Sequence, residues 1–270
     1  METNKANIPA VILAAGKGTR LRPLTYDHPK PLLYLGNKRI LEIILLNLIK
    51  AGIRHFLVIT GYKGKEIEKW IQEEFVVRIY RDYEKEYNID IGPLVFSLIR
   101  QEDINGTGGA ALLVEEHILK NGYEFFLLTY ADIVVSSTIY KRLIQSYQQC
   151  NNDVFLVANP TDDPSKGAAV YYDSNIVRNI IEKPKLDAPK TDMENSGIYI
   201  FSNKIFDRLR ETKPSERGEI EITAPVKNMC DENIPIRLVK MGEDEFWCDV
   251  GTLNIYKDLN NNQSWKRKVL

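Results

Sequence analysis

The sequence predicts an α/β fold: an open, mostly parallel central sheet with helices on both faces, joined to a smaller antiparallel part. Three observations predict it. The first half of the 270-residue chain alternates short apolar runs with longer stretches of helical apolar spacing. Several of those runs, Val11-Ile12-Leu13-Ala14 among them, are apolar at every position, as a strand buried on both faces requires. In the second half, short segments are separated by turn residues such as Asp173-Ser174-Asn175, which reads as antiparallel hairpins.

Taken in order, 8–14 is the first strand. Residues 39–51 place Ile40, Leu41, Ile44, Leu45, Leu48 and Ile49 at helical spacing and stop at Gly52. The second strand is 55–60. Ile67, Ile71, Phe75, Ile79, Tyr83 and Tyr87 then recur at every fourth position, which predicts a long helix with a break near Val76-Val77. A third strand covers 94–101, and Gly106-Thr107-Gly108-Gly109 opens a helix to about Lys120. Strand 124–130, helix 137–150 and strand 153–159 follow. The second half holds strands 168–172, 176–182, 194–201 and 234–241, a helix over 219–229 that Pro225 interrupts, and a terminal helix at 252–260. Residues 260–264 and the basic run Lys266-Arg267-Lys268 read as a fraying end.

Composition bounds the function. Hydrophobic residues make up 44% of the chain, enough for a normal core, and the formal net charge of −1 excludes the basic excess of a general nucleic-acid binder. No run approaches the roughly 18 apolar residues of a membrane span. Residues 1–5 run straight into the first strand and leave no room for a signal peptide. Three scattered cysteines, Cys150, Cys230 and Cys248, form neither a disulfide framework nor a metal pattern, so a reducing cytoplasm is expected. His28, His55 and His117 form no ligand pair.

One segment carries most of the chemistry. After the first strand comes Ala14-Ala15-Gly16-Lys17-Gly18-Thr19-Arg20-Leu21-Arg22-Pro23-Leu24, and then Lys30-Pro31-Leu32-Leu33. Glycines let backbone N–H groups turn toward an anion; Arg20 can grip a phosphate bidentately, and Lys30 adds a point charge. Such a loop suits a triphosphate. It is not a P-loop, since no Gly-Lys-Ser/Thr stands at the required spacing, and it lacks the third glycine of the dinucleotide fingerprint. On an open sheet, ligands gather outside the carboxyl ends of the strands. That rule puts this loop, 101–109 and Asp132 on one rim.

The string resembles the signature of the sugar-1-phosphate nucleotidyltransferases, or nucleotide-sugar pyrophosphorylases. The resemblance continues through Gly106-Thr107-Gly108-Gly109-Ala110, Asp132, Gly167, Glu182-Lys183-Pro184, Asn195-Ser196-Gly197-Ile198-Tyr199 and Trp247-Cys248-Asp249-Val250-Gly251-Thr252. It covers residues 8 to about 257 and implies a Rossmann-like fold. The implied reaction joins an NTP and a sugar-1-phosphate to give an NDP-sugar and pyrophosphate, by Mg²⁺-assisted in-line attack on the α-phosphate. The sugar phosphate is already ionised at neutral pH, so no general base is required.

The resemblance assigns roles. Asp132 and Asp249 would hold Mg²⁺, which prefers one or two carboxylates plus phosphates and water. Arg20 and Lys30 would clamp the triphosphate, with Ala14, Ala15, Gly16, Gly18 and Thr19 around the nucleotide and Gln101, Gly106 and Gly108 toward the base. Lys183 would meet the phosphate of the sugar; Gly167, Glu182 and Asn195 would contact the hexose. Catalytic weight falls on Arg20, Lys30, Asp132, Lys183 and Asp249. Relatives usually carry glycine immediately before the first aspartate, where this chain has Tyr130-Ala131.

The expected organisation is one catalytic domain over 1–262, its NTP-binding part about 1–160 and its sugar-phosphate part about 161–262, followed by a basic tail at 263–270. Family frequency favours glucose-1-phosphate with UTP or dTTP. The alternatives are a mannose- or heptose-1-phosphate guanylyltransferase, a cytidylyltransferase for a non-sugar phosphate, and, from another class, a non-catalytic regulatory relative. The expected partners are the two substrates, with neither nucleic acid nor membrane, and a homo-oligomer is compatible with the sequence.

Overall fold

The computed structural model describes residues 8–87, 91–150, 154–215 and 218–270. The expected lead-in at 1–5 and Asp153, the first residue of an expected strand, lie outside the described residues.

In chain order the main elements are β1 (Ala10–Ala14), α1 (Ile40–Lys50), β2 (His55–Thr60), the helix α2 (64–87), β3 (Val95–Arg100), α3 (Thr107–Leu112) and α4 (Glu115–Lys120). There follow β4 (Phe125–Tyr130), β5 (Ile133–Val135), α5 (Ser137–Gln149), β6 (Val154–Pro160), β7 (Ala168–Asp173), β8 (Ile176–Glu182) and β9 (Met193–Ser202). The chain closes with α6 (Ile205–Glu211), α7 (Thr223–Asp231), β10 (Ile236–Lys240), β11 (Trp247–Asp249) and α8 (Leu253–Asn261). It divides into two compact units interleaved in sequence, one of 1–104, 130–141 and 246–270, the other of 105–129 and 142–245. Neither unit is a continuous stretch of the chain. Chain order does not record which late segment returns to an early unit.

In the first unit β1 pairs in parallel with β2, and β2 with β3, from Ala10↔Phe56 and His55↔Val95 onward. Strands β1 and β2 are buried as their apolar runs require, whereas β3, at the edge of the sheet, is half-exposed. Helix α2 is unbroken, contrary to the expected interruption near Val76-Val77. It instead widens into π turns at Trp70–Phe75 and Ile79–Tyr83. The sequence explains this. In an α-helix a four-residue repeat drifts about 40° per step, so the apolar row would wind off the core. Widened i→i+5 turns keep the row on one side. Ile67, Ile71, Phe75, Ile79 and Tyr83 are all buried.

The tail is also packed. Trp265 is buried, stacks on Phe246 and donates its Nε1–H to the Leu259 carbonyl at 2.8 Å. The fraying expected from composition does not occur, because one aromatic anchor outweighs the polar residues around it.

In the second unit β9 pairs antiparallel with both β4 (Ile198↔Thr129) and β6 (Asn195↔Ala158). Strands β6 and β10 are parallel, β10–β8 and β8–β7 antiparallel, and Glu194↔Ala169 joins β9 back to β7, closing a small barrel. The fold is mixed α/β: the expected parallel pairing is seen in β1–β3 and in β6–β10, while β9 runs antiparallel to both of its neighbours β4 and β6. Strand–helix alternation says that strands are connected by crossovers; it does not say that a later strand will enter between two of them. Three local corrections follow. The helix expected to reach Lys120 is two helices, α3 and α4. The helix expected over 219–229 begins only at Thr223, with Pro225 in its first turn, where a missing N–H breaks no helical bond. Helix α6 carried no expectation.

Candidate active site

The first unit assembles its cluster from four distant segments. The turn after β1 begins at Gly16 and enters a left-handed conformation at Gly18 (φ 62°), which favours glycine. A short helical turn at Thr19–Leu21 follows and carries Arg20, which stays exposed. Lys30 begins a second short turn after Pro29, and is only 8% exposed. Ala131 donates its N–H to the Leu13 carbonyl at 3.0 Å, which anchors Asp132 beside the end of β1. The antiparallel ladder β5–β11, with Asp249↔Ile133, and the bond from Val250 N–H to the Asp132 carbonyl at 2.9 Å then bring in the second aspartate. This ladder was absent from the sequence expectations. Its only signals are the β-branched run Ile133-Val134-Val135 and the aromatic Trp247.

The result is a cationic–dianionic cluster. The Lys30 ammonium bonds Asp132 Oδ2 and stands 3.7 Å from Asp249 Oδ1. Burial, and then the neighbouring Asp132 charge, push Asp249 up to about 6, against the pull of Lys30 and Arg20. A side chain at Gly251 would begin within 2.8 Å of Asp249 Oδ2 and 3.0 Å of Arg20 Nη2, so glycine is needed for this close approach. Asp132 Oδ1 and Asp249 Oδ1 are buried with no hydrogen-bond partner. Orphaned carboxylate oxygens are costly unless something binds them. Two such oxygens on adjacent carboxylates fit a hard, oxygen-ligated divalent cation. Cys248, beside them in sequence, is pushed up to about 12 by burial and the Asp249 charge, so its thiol stays protonated.

Ala14 and Ala15 are buried, and the Ala15 carbonyl accepts the Tyr62 N–H at 3.1 Å. Gln101 is buried at the end of β3, its N–H on the Thr60 carbonyl at 2.7 Å.

The second unit holds the other expected residues. In the β7–β8 hairpin, Glu182 pairs with Ala168, and Lys183 N–H donates to the Gly167 carbonyl at 2.8 Å. Gly167, Glu182 and Lys183 thus meet at the open end of one hairpin, with Lys183 in a left-handed conformation (φ 45°) and exposed. Glu182 lines a cavity of about 260 Å³ with Lys213, Ser215, Glu219, Thr223 and Lys227. Those five carried no expectation as site residues, since nothing in the local sequence marks them as facing Glu182. Asn195 stands on β9 at a bulge between Asn195 and Ile198. Its amide donates to the Tyr199 hydroxyl at 2.5 Å and accepts the Gly197 N–H at 3.2 Å, bonds that orient it within its own strand. Gly106 and Gly108 pack against Ile220, whose carbonyl takes the Gly108 N–H at 2.7 Å; the structure gives them a packing role.

A family model described as Nucleotidyl transferase matches residues 9–264, which takes in every residue of both clusters. The chain belongs to the nucleotidyl transferase family. Among similar members, the "Bifunctional protein GlmU" of Methanococcus aeolicus is 36% identical over 245 residues, which are 90% of this chain and 51% of that protein. The chain spans about half the length of that relative. A Methanocaldococcus jannaschii protein, named for transfer between UTP and glucose-1-phosphate, is 31% identical over 229 residues, 79% of each chain. Among solved structures, that of a UDP-glucose pyrophosphorylase complexed with UDP-glucose shares the nucleotidyltransferase fold. Its TM-score is 0.82 over 96% of this chain and 99% of that one, at 23% identity. Among the described residues, no helix is long and apolar enough to cross a membrane.

Proposed function

We propose that this nucleotidyl transferase joins an NTP to a sugar-1-phosphate, releasing pyrophosphate. The observation that carries the reading is the pair of orphaned carboxylate oxygens on Asp132 and Asp249, set beside Lys30 and Arg20. That arrangement suits a polyphosphate with its divalent cation. Asp132 and Asp249 would hold Mg²⁺, which when bound neutralises phosphate charge and polarises the phosphoryl group.

The protein's own residues position and neutralise. Arg20 and the turn from Ala14 through Gly16 and Gly18 to Thr19 grip the triphosphate. Lys30 balances the two carboxylates and the incoming anion. Gln101 serves the base, and Gly106 and Gly108 shape their loop by packing. Lys183 takes the phosphate of the sugar, while Glu182 and the Gly167 backbone take hydroxyls; Asn195 shapes the bulge beside them. An oxygen of the sugar phosphate attacks the α-phosphorus, the bond from that phosphorus to the β-phosphate oxygen breaks, and pyrophosphate leaves with the electron pair. No proton needs to move, because the sugar phosphate is already ionised at neutral pH.

UTP or dTTP with glucose-1-phosphate is the favoured pair, supported for uridylyl transfer by the name of the Methanocaldococcus jannaschii relative. Guanylyl transfer to mannose- or heptose-1-phosphate is the alternative. A matrix of NTPs against sugar-1-phosphates, read by pyrophosphate release, tests both. The highest kcat/KM is expected with UTP or dTTP and glucose-1-phosphate. Release with GTP and mannose-1-phosphate alone would select the alternative, and no release with any sugar phosphate would overturn the reading.

A further inference from the structure

Thr25 stands five residues beyond Arg20, is only 1% exposed, and has no role in the cluster described above. Its hydroxyl donates to the Gly18 carbonyl at 2.9 Å, the same oxygen that accepts the Leu21 N–H at 3.0 Å. Its Cγ2 fills the space beside Gly18, where a Cβ would lie 3.0 Å from it and 3.1 Å from the Lys30 Cβ. The Thr25 carbonyl in turn accepts the Tyr62 hydroxyl at 3.0 Å. Tyr62 lies two residues past the end of β2, and its own N–H is bonded to the Ala15 carbonyl. Lys63 adds a bond from Nζ to the Asp27 carbonyl at 2.9 Å. The glycine turn is therefore tied at both ends to the residues that follow β2.

We infer that Thr25, held by Tyr62, is a positioning residue for the NTP-phosphate turn, acting through the Gly18 carbonyl to set where Arg20 stands. This rests on the reading of 16–20 as the triphosphate turn. The left-handed Gly18 gives the turn a freedom that glycine alone would not restrict. A buried hydroxyl on its carbonyl removes that freedom before the ligand arrives, and preorganisation of this kind lowers the ordering cost of binding. Thr25 and Tyr62 touch no ligand in this account; their effect passes through the loop.

Thr25→Val keeps the shape and removes the hydroxyl, and Thr25→Ser keeps the hydroxyl. Calorimetry of the full chain with UTP, dTTP and GTP, each in MgCl₂, reads the binding step. Steady-state kinetics on the best substrate pair reads KM separately for each substrate. Loss of one hydrogen bond predicts up to about tenfold weaker NTP binding in Thr25→Val, a matching rise in the NTP KM, and an unchanged KM for the sugar phosphate. Thr25→Ser should recover most of the affinity, and Tyr62→Phe should shift it in the same direction by less. A merely structural role would lower the melting temperature and harm both substrates alike, without rescue by serine. That pattern, or wild-type NTP affinity in Thr25→Val, would overturn the inference while leaving the proposed reaction standing. No NTP binding by the wild type would remove both.

Discussion

The Lys30 ammonium is bonded to Asp132, 102 positions further along the chain, and lies 3.7 Å from Asp249. One largely buried lysine thus serves two carboxylates that repel each other, and each carboxylate still keeps a buried oxygen without a hydrogen bond, Asp249 Oδ1 despite the ammonium 3.7 Å away. Such a cluster is under-satisfied by the protein alone, as a binding site for a charged ligand must be.

If those oxygens are metal ligands, Asp132→Asn or Asp249→Asn should lower kcat by about 10²–10³, the scale of losing one major electrostatic stabiliser. Pyrophosphate release in EDTA should fall to background, and isothermal titration of the NTP-free protein with Mn²⁺ should lose its signal in either variant. Near-normal turnover in EDTA would remove the metal from the account.

Arg20 and Lys183 sit in clusters assigned to different substrates. Arg20→Ala should chiefly raise the NTP KM and lower kcat, whereas Lys183→Ala should raise the sugar-phosphate KM at least about tenfold more than the NTP KM. Equal defects in both would refute the division.

Lys50 supplies a pH dependence. Burial, and then the Lys38 charge, lower it from 10.5 to about 8. Its folded value lies below its unfolded value, so between these two values the unfolded chain binds the extra proton and stability rises with pH. Below about 8 the charged lysine is a full liability, offset in part by the Tyr87 ring face 3.8 Å away. Lys50→Met should therefore raise the unfolding free energy at pH 7, by less than about 1 kcal/mol after solvent screening, and the melting temperature with it. The advantage should shrink from pH 8 to 10.5. A constant difference across that window would show that Lys50 does not titrate there.

Trp265 anchors the tail by burial and by its bond to Leu259. Trp265→Ala should cost about 3–5 kcal/mol in urea unfolding. Removal of 263–270 should destabilise the chain at least as much. A neutral truncation would restore the fraying end that composition suggests.

The strands β1, β2 and β3 were legible because each is a local apolar run, and the glycine turn because its glycines and cations are contiguous. The four-residue period of α2 was also plain; its consequence, π turns in place of a break, follows once the row must stay on the core. Glu182, Lys183 and Gly167 were placed together by a hairpin whose turn residues are themselves a local signal. Asn195 and Gly108 show the limit. Their motif positions are right there in the sequence, yet their polar groups are bonded to Tyr199, Gly197 and Ile220, partners that only packing supplies.

By itself, then, the sequence determined most of the segments that become strands and helices and the motifs that mark the family, because propensity, periodicity and turn chemistry act over a few neighbouring residues. Tertiary structure alone decided that β9 enters between β4 and β6, that β7 closes onto β9, and that 247–249 returns to pair with 133–135 and bring Asp249 to Lys30. Backbone hydrogen bonds between distant segments are the same whichever residues make them. The choice among pairings therefore rests on how whole faces pack, and no local pattern encodes it.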